Sequence, residues 1–397
     1  MKYDLCIIGG AGHVGLPLGV AFANVGQKTV LLDTNVEVLN MISSGSFPFM
    51  ERGGEAALKK ALKAKTLLTS PDPEVIGQSD VVVMVIGTPV DEHLAPNLHG
   101  LMKVVESYSA YVRTGQTVIL RSTVFPGTSE RLQRYFDKKG LKVGVSFCPE
   151  RIVEGKALEE LSSLPQIISG FDPKTVKKVT TLFSRLTKRK IVVMEPIEAE
   201  LAKLFSNAWR YLTFAVANEF FVIATEHGLD YHKIYAGMTE DYPRMNLPRP
   251  GFAAGPCLLK DTMQLAAFHS SNFFLGHAAM SVNEKLPAVV LRQLEKKLPD
   301  MHDKTIGILG MAFKAESDDI RESLSYKLKK IAMTKAGAVL CHDFYVDDSR
   351  LVSLKKLIKE SDAIILAAPH KGYSKIDPKK YPKKVFIDIW NFWPKNN

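Results

Sequence analysis

Three groups of residues in this sequence have types and spacings that can do chemistry. The first is a cysteine set among small residues and followed by a charged pair, Gly251-Phe252-Ala253-Ala254-Gly255-Pro256-Cys257-Leu258-Leu259-Lys260-Asp261. Small neighbours leave room for a substrate beside the thiol, and a nearby cation favours the nucleophilic thiolate. The second is Gly10-Ala11-Gly12-His13-Val14-Gly15, which follows an apolar run and opens a helical pattern, with Asp33 about 20 residues further on. Such glycines let the backbone approach a pyrophosphate at a helix N-terminus, and the carboxylate can accept hydrogen bonds from a ribose hydroxyl. No arginine follows Asp33 to meet a 2′-phosphate, so the pattern predicts NAD rather than NADP. The third is Lys203 with Asn207, four apart and so on one face of a helix. Upstream, Cys148-Pro149-Glu150-Arg151-Ile152-Val153-Glu154-Gly155-Lys156 supplies carboxylates at a strand end.

The elements that must position these groups are legible as an α/β pattern. Short Val/Ile/Leu-rich runs at 3–8, 28–32, 80–86, 117–120, 142–146 and 190–193 read as strands of a parallel sheet covered on both faces. Helical patterns at 16–25 and 100–112 lie between them, which predicts a doubly wound domain. From 197 to about 227 helical periodicity runs without a breaker, ending at Gly228, and a second helical region follows from about 261 to 298. Strand–helix alternation then resumes and echoes the first half. Residues 304–309 with Gly310 resemble the first strand and its turn, 338–343 echo Thr29-Val30-Leu31-Leu32-Asp33, and 362–366 echo 80–84. The expected architecture is two Rossmann-like doubly wound domains, 1–196 and 300–397, joined by a long central helix and helical dimerisation layer in 197–299.

Composition narrows the function classes. With 46% hydrophobic and 24% charged residues, the 397-residue chain is ordinary for a globular protein of two or three domains. No run approaches the ~18 apolar residues that span a bilayer, and no signal-peptide pattern precedes the first strand, so the expectation is a cytoplasmic protein with no membrane partner. Net charge is +10, but no nucleic-acid-reading motif accompanies it, which leaves a solvated basic surface or attraction of anionic small molecules. The four cysteines have no metal-ligand spacing and no metal is expected; Cys6 and Cys341 sit in apolar strand patterns as packed thiols.

Together these residues resemble the UDP-glucose/GDP-mannose dehydrogenase family along nearly the whole chain. Besides the blocks above, the resemblance includes Gly87-Thr88-Pro89, Arg121-Ser122-Thr123-Val124 with Pro126-Gly127, and Pro243-Arg244-Met245-Asn246. It continues through Gly310-Met311-Ala312-Phe313-Lys314, Asp319-Ile320-Arg321-Glu322-Ser323 and Asp388-Ile389-Trp390-Asn391. It implies an NAD-dependent four-electron oxidation of a nucleotide sugar at C6, in which Cys257 carries a thiohemiacetal and then a thioester. It further implies that Lys203 and Asn207 stabilise oxyanions at C6, that Asp261 assists proton transfer, and that Glu150 with Thr123 handles the alcohol proton or hydrolytic water. By the same resemblance Glu154 helps position the nicotinamide or substrate, and Thr88 and Thr123 lie along NAD with Gly10, Gly12, His13, Val14, Gly15 and Asp33. Lys314 and Gly255 fall on the substrate side, Arg321 contacts the NAD phosphates, and Arg244 reaches a neighbouring subunit's sugar site, which implies a homodimer or higher homo-oligomer. The domain 300–397 would then bind the UDP-sugar.

One departure stands out. The family has a Gly-Gly pair before its cysteine, whereas Ala254-Gly255-Pro256 stands here. Alanine adds a methyl where φ > 0 or close ligand approach is needed, and proline removes a donor. Lys260-Asp261 resembles UDP-glucose enzymes. The 242–246 segment and the run 90–97 resemble the UDP-N-acetylhexosamine branch, which is the favoured expectation. Two rival readings are a two-electron NAD-dependent hydroxyacid dehydrogenase and an inactive nucleotide-binding regulator.

Overall fold

The computed structural model describes residues 2–87 and 98–393, the side chains of residues 98 and 99 excepted. It divides into two compact units, Met1–Ser206 and Asn207–Asn397.

The first unit is built on strands β1 (Tyr3–Ile8), β2 (Thr29–Leu32), β3 (Leu67–Ser70), β4 (Ser79–Met84), β5 (Thr117–Leu120) and β6 (Gly144–Phe147). They pair in parallel in the order β3-β2-β1-β4-β5-β6. Alternate side chains of a strand point to opposite faces, so β1 feeds two cores. Leu5 and Ile7 pack with Leu16, Phe22 and Phe183, while Cys6 and Ile8 pack with Val82, Val105 and Phe136. Strand order reverses between β1 and β4, and the loops leaving their carboxyl ends frame the crevice where such sheets bind ligands. A short parallel pair, β7 (Gln166–Ile168) and β8 (Ile191–Val193), completes the unit.

The second unit repeats the theme in smaller form. Strands β9 (Thr305–Leu309), β10 (Ala338–His342), β11 (Ala363–Leu366) and β12 (Val385–Asp388) pair in parallel as β10-β9-β11-β12. Leu286, Val290 and Leu294 of helix Phe274–Lys297 share one core with Ile306, Ile308 and Ile365. The long helix Pro196–Glu226 begins in the first unit and continues into the second; its 31 residues run for about 45 Å.

Two differences from the sequence-based pattern have physical causes. The helical region expected over 261–298 is two helices, Leu258–Phe268 and Phe274–Lys297, because Ser270 and Ser271 adopt left-handed φ of 50° and 62° between them. Strands β3 and β7 carry too little apolar signal to stand out: β3 ends in Thr69-Ser70 at a sheet edge and β7 has three residues.

Candidate active site

In the first unit the glycine turn between β1 and helix Gly15–Asn24 is shaped by close approaches. A Cβ on Gly10 would lie 2.7 Å from the Leu31 Cβ, and one on Gly15 would lie 2.2 Å from the Gly9 carbonyl oxygen. Gly12 is different: it is exposed and a Cβ there would meet nothing nearer than 3.6 Å, so its surface is open toward a ligand. Asp33, half-buried at the end of β2, accepts from Ala11 N at 3.0 Å through one oxygen and from Asn35 N at 3.1 Å through the other. The carboxylate thereby sits beside the turn with lone pairs left for a ribose hydroxyl. His13 stacks at 4.0 Å on Phe49, and Val14 is half-buried at the helix N-cap. Glycine turn, helix N-terminus and Asp33 fit the NAD that the fingerprint predicts. Thr88 and the run 90–97 lie outside the described residues.

The loops after β5 and β6 are locked together by Arg121, which is fully buried. Its Nε and Nη2 donate to Glu150 Oε2 at 2.9 and 2.6 Å, Nη1 donates to the Cys148 and Pro149 carbonyls, and Nη2 also reaches Gln166 Oε1. The other oxygen of Glu150 accepts from Arg151 N and Ile152 N. Both oxygens thus accept hydrogen bonds that hold the loop. Ser122 accepts from Ile86 N at 2.7 Å, pinning the half-buried Thr123 segment to the end of β4. Glu154 sits in the turn that ends at Gly155, whose φ is 86°.

Glu200 on the long helix is 1% exposed and accepts from Gly127 N, Ser129 N and Ser129 Oγ at 2.6–2.8 Å. It satisfies the open N-terminus of helix Thr128–Lys138 and ties the Thr123 loop to the helix that carries Lys203. Burial pushes its carboxyl above the ordinary value, with the three hydrogen bonds working against that. Lys203 and Asn207, one turn apart on this helix, are 9% and 5% exposed.

In the second unit Asn207 Nδ2 donates to Asp261 Oδ2 at 2.5 Å, and Lys260 Nζ stands 2.7 Å from Asp261 Oδ1. Asp261 is completely buried. One turn before it, Cys257 is exposed at the N-cap of helix Leu258–Phe268. An anion at that position meets the positive end of the helix. The loop leading to the thiol is fixed at two points. Asn218 exchanges hydrogen bonds with the backbone of Gly251 and is itself held by Asn283. Gly251 packs under Trp390, whose ring lies where a Cβ would go. The left-handed conformation falls on Gly255, φ 101°, and not on Ala254, so the alanine brings no backbone strain. A Cβ on Gly255 would lie 2.6 Å from the Phe313 ring, and Gly255 N donates to the Glu322 carbonyl at 3.3 Å. The thiol loop and the 310–323 loop that bears Lys314 and Arg321 are therefore neighbours. Arg321 forks onto Asp319 at 2.6–3.0 Å while half its side chain stays exposed, and Lys314 lies over Phe313. Arg244 is exposed, stacked at 5.0 Å on Tyr242.

Each unit therefore gathers its own set: Gly10, Gly12, His13, Val14, Gly15, Asp33, Thr123, Glu150, Glu154 and Lys203 in the first; Asn207, Arg244, Gly255, Cys257, Asp261, Lys314 and Arg321 in the second. Sequence reasoning gave no role to Arg121, Glu200, Asn218 or Trp390. The signal for Glu200 was its place three residues before Lys203, nearly one helical turn; for the others only a fold could supply the partner. All four cysteines remain thiols, and burial pushes Cys6 to about 12 and Cys148 and Cys341 to about 11. Among the described residues no cluster of His, Cys, Asp and Glu could hold a metal ion, and no helix is long and apolar enough to cross a membrane.

Models of the UDP-glucose/GDP-mannose dehydrogenase family match the NAD binding domain at residues 3–187, the central domain at 197–285 and the UDP binding domain at 307–395. The chain is 30% identical to the UDP-N-acetyl-D-mannosamine dehydrogenase of Pyrococcus horikoshii, over 96% of this chain and 93% of that one. A solved structure of UDP-D-ManNAc dehydrogenase from Pyrococcus horikoshii superposes with a TM-score of 0.92 at 28% identity, covering 99% and 96% of the two chains. A UDP-glucose dehydrogenase from Pyrobaculum islandicum follows at 0.89 and 26%, covering 98% of each. The chain belongs to the UDP-glucose/GDP-mannose dehydrogenase family and is an NAD-dependent nucleotide-sugar dehydrogenase.

Proposed function

We propose that this family member oxidises the C6 hydroxymethyl of a UDP-sugar, with a UDP-N-acetylhexosamine favoured, to the carboxylate through covalent adducts on Cys257. The observation that carries this reading is an exposed thiol at a helix N-terminus, one turn from the buried Asp261–Asn207 pair and beside the loop of Lys314 and Arg321. NAD, when bound, supplies the hydride-accepting chemistry for both oxidations. Cys257 Sγ adds to the C6 aldehyde, and the thiohemiacetal so formed already bears the hydrogen that must leave as hydride. Its loss gives a thioester. Water then breaks the C–S bond, releasing the carboxylate and returning the thiol.

Lys203 and Asn207 stabilise the oxyanions at C6, and Asp261 and Thr123 assist proton transfers to and from water. Because Arg121 and two backbone N–H groups occupy both oxygens of Glu150, we assign it the positioning of the 148–152 loop. Glu154 lies toward nicotinamide or substrate, Lys314 serves the substrate and Arg321 the NAD phosphates. The segments 1–196, 197–299 and 300–397 take the roles of cofactor, joining and UDP-sugar domains. The Tyr242-Pro243-Arg244-Met245-Asn246 run and the mannosamine-type relatives support the N-acetylhexosamine.

The test is NADH release with UDP-N-acetylmannosamine, UDP-N-acetylglucosamine, UDP-glucose and GDP-mannose, with products weighed by mass spectrometry. Two NADH per uronate from a UDP-N-acetylhexosamine is expected. One NADH per substrate would place the enzyme with two-electron hydroxyacid dehydrogenases. Intact NAD binding without turnover of any sugar would favour a regulator.

A homodimer is the expected working form. Trp209, Val216, Phe220 and Ile223 form an exposed stripe along the long helix, and Phe274 and Leu275 are exposed at the start of another. Apolar surface of this extent calls for a partner, and the exposed Arg244 then has a neighbour's sugar site to enter. Light scattering of Trp209→Glu against wild type checks this: a monomeric wild type at working concentration would overturn it.

A further inference from the structure

The 310–323 loop has neither helix nor strand geometry of its own, yet it carries Lys314 and Arg321 and two residues with left-handed backbone, Glu316 at φ 53° and Glu322 at φ 52°. A non-glycine residue in that region is disfavoured and persists only when its surroundings hold it. At Glu316 the hold is explicit. Its N–H donates to His370 Nδ1 at 2.9 Å, its carboxylate accepts from Lys371 N at 2.7 Å and from Tyr345 Oη at 3.1 Å. His370 is completely buried, and its Nε2 lies 3.0 Å from Asp343 Oδ2. A backbone N–H can only donate, so Nδ1 must present its lone pair and the ring proton sits on Nε2, donating to Asp343. The same Asp343 oxygen accepts from Met311 N and Ala312 N at 2.6 and 3.0 Å. Through one imidazole, the start of the loop at 311–312 is coupled to its left-handed turn at 316.

We propose that His370 is a positioning residue for nucleotide-sugar binding: it fixes the Glu316 turn and thereby the placement of Lys314, the substrate-side cation two residues before it. The proposal rests on the reading that Lys314 serves the nucleotide sugar. It makes the two ring nitrogens inequivalent, with the Nδ1 lone pair setting the loop and the Nε2 proton completing the Asp343 carboxylate.

Two substitutions separate the nitrogens. His370→Asn places an amide oxygen where Nδ1 stood, whereas His370→Gln keeps a donor near Nε2 and offers nothing to Glu316 N. Two readouts are compared for both variants: hydrogen exchange of the 311–323 amides without ligand, and KM and kcat for the nucleotide sugar. His370→Gln should accelerate exchange in 311–323 and raise KM about tenfold, the loss of one well-placed hydrogen bond, with kcat within about twofold. His370→Asn should restore most of both. Equal loosening by the two variants would reduce His370 to a packing residue, and unchanged exchange in His370→Gln would sink the proposal outright. Exchange decides on the loop even if the wild type proves inactive on every UDP-sugar, an outcome that would count against the reading of function instead.

Discussion

After β1, Gly9 turns at φ 76° against the Val85 carbonyl; after β9, Gly310 turns at φ 90° against Ala368. The two units then part. The first continues through Gly10, Ala11 and the open Gly12, and its strand-end carboxylate, Asp33, stays half-buried with one backbone donor on each oxygen. The second continues through Met311 and Ala312, both buried, and its equivalent carboxylate, Asp343, is consumed by five donors: Met311 N, Ala312 N, His370 Nε2, Tyr345 N and Val346 N. One topology thus yields an open cofactor turn and a closed structural one. What differs is whether the chain itself fills the carboxylate's lone pairs. Where it does, no lone pair is left there for a ligand, and the proposed function puts recognition on the 310–323 loop instead.

On the proposed function the glycine turn that receives NAD lies in the first unit and the reacting thiol in the second, so the two should be separable. Cys257→Ser is expected to lower uronate formation by at least about a thousandfold while leaving NAD affinity, read by fluorescence titration, unchanged. Wild-type uronate yield from that variant would remove the covalent route. Next in size is the stability contrast. Asp343→Asn puts an amide among buried donors and should cost about 3 kcal/mol in urea unfolding, whereas Asp33→Asn should shift the midpoint hardly at all. Equal costs would mean that the two carboxylates are not used differently.

Much of this division was legible in the sequence. β1 is bounded where its apolar run begins and ends, and Gly10, Gly12, Gly15 and Asp33 stand in one turn because they are close in sequence or end adjacent strands. The echo of Asp33 in Asp343 was visible too, but its role was not. Closure of the second turn depends on His370, 27 residues away and brought close by β11, and no local pattern announces such a partner. The same holds for Arg121 and Glu150, 29 residues apart, whose hydrogen bond no local pattern announces. The Ala254-Gly255-Pro256 turn misleads the other way: its spacing puts the strain on the alanine, yet positive φ falls on Gly255.

Acid should widen the difference between the units. Burial works to raise the Asp343 carboxyl, but the hydrogen bond from His370, with the N–H groups of Tyr345 and Ala312, outweighs it and holds the group at about 2, against an ordinary 3.8. Its folded value is depressed, so the stability it contributes is present above about pH 4 and is lost as pH falls through 2, a sum of about 2 kcal/mol. Glu200 in the first unit is shifted upward by burial, so its protonation on acidification favours the folded state. Asp388 shifts upward as well and offsets part of the loss in the second unit. Hydrogen exchange between pH 4 and 2 should show the β9–β12 sheet loosening before β1–β6. The reverse order would break the assignment of Asp343 as the more tightly engaged carboxylate.

The smallest expected effect sharpens the comparison from the open side. Asp33→Ala removes an acceptor from Ala11 N, part-buried, and from the exposed Asn35 N, so the fold should register it far less than the loss of Asp343. What the variant loses is the partner for a ribose hydroxyl, worth about 1.5 kcal/mol or more when a charged acceptor is involved, which corresponds to a rise in KM for NAD of at least about tenfold. The KM for the nucleotide sugar should stay put, because that ligand is assigned to the other unit, whose own strand-end carboxylate is already spent. A variant that raised both KM values together would mean that the first turn serves both ligands, and the division of labour drawn from Asp33 and Asp343 would have to be given up.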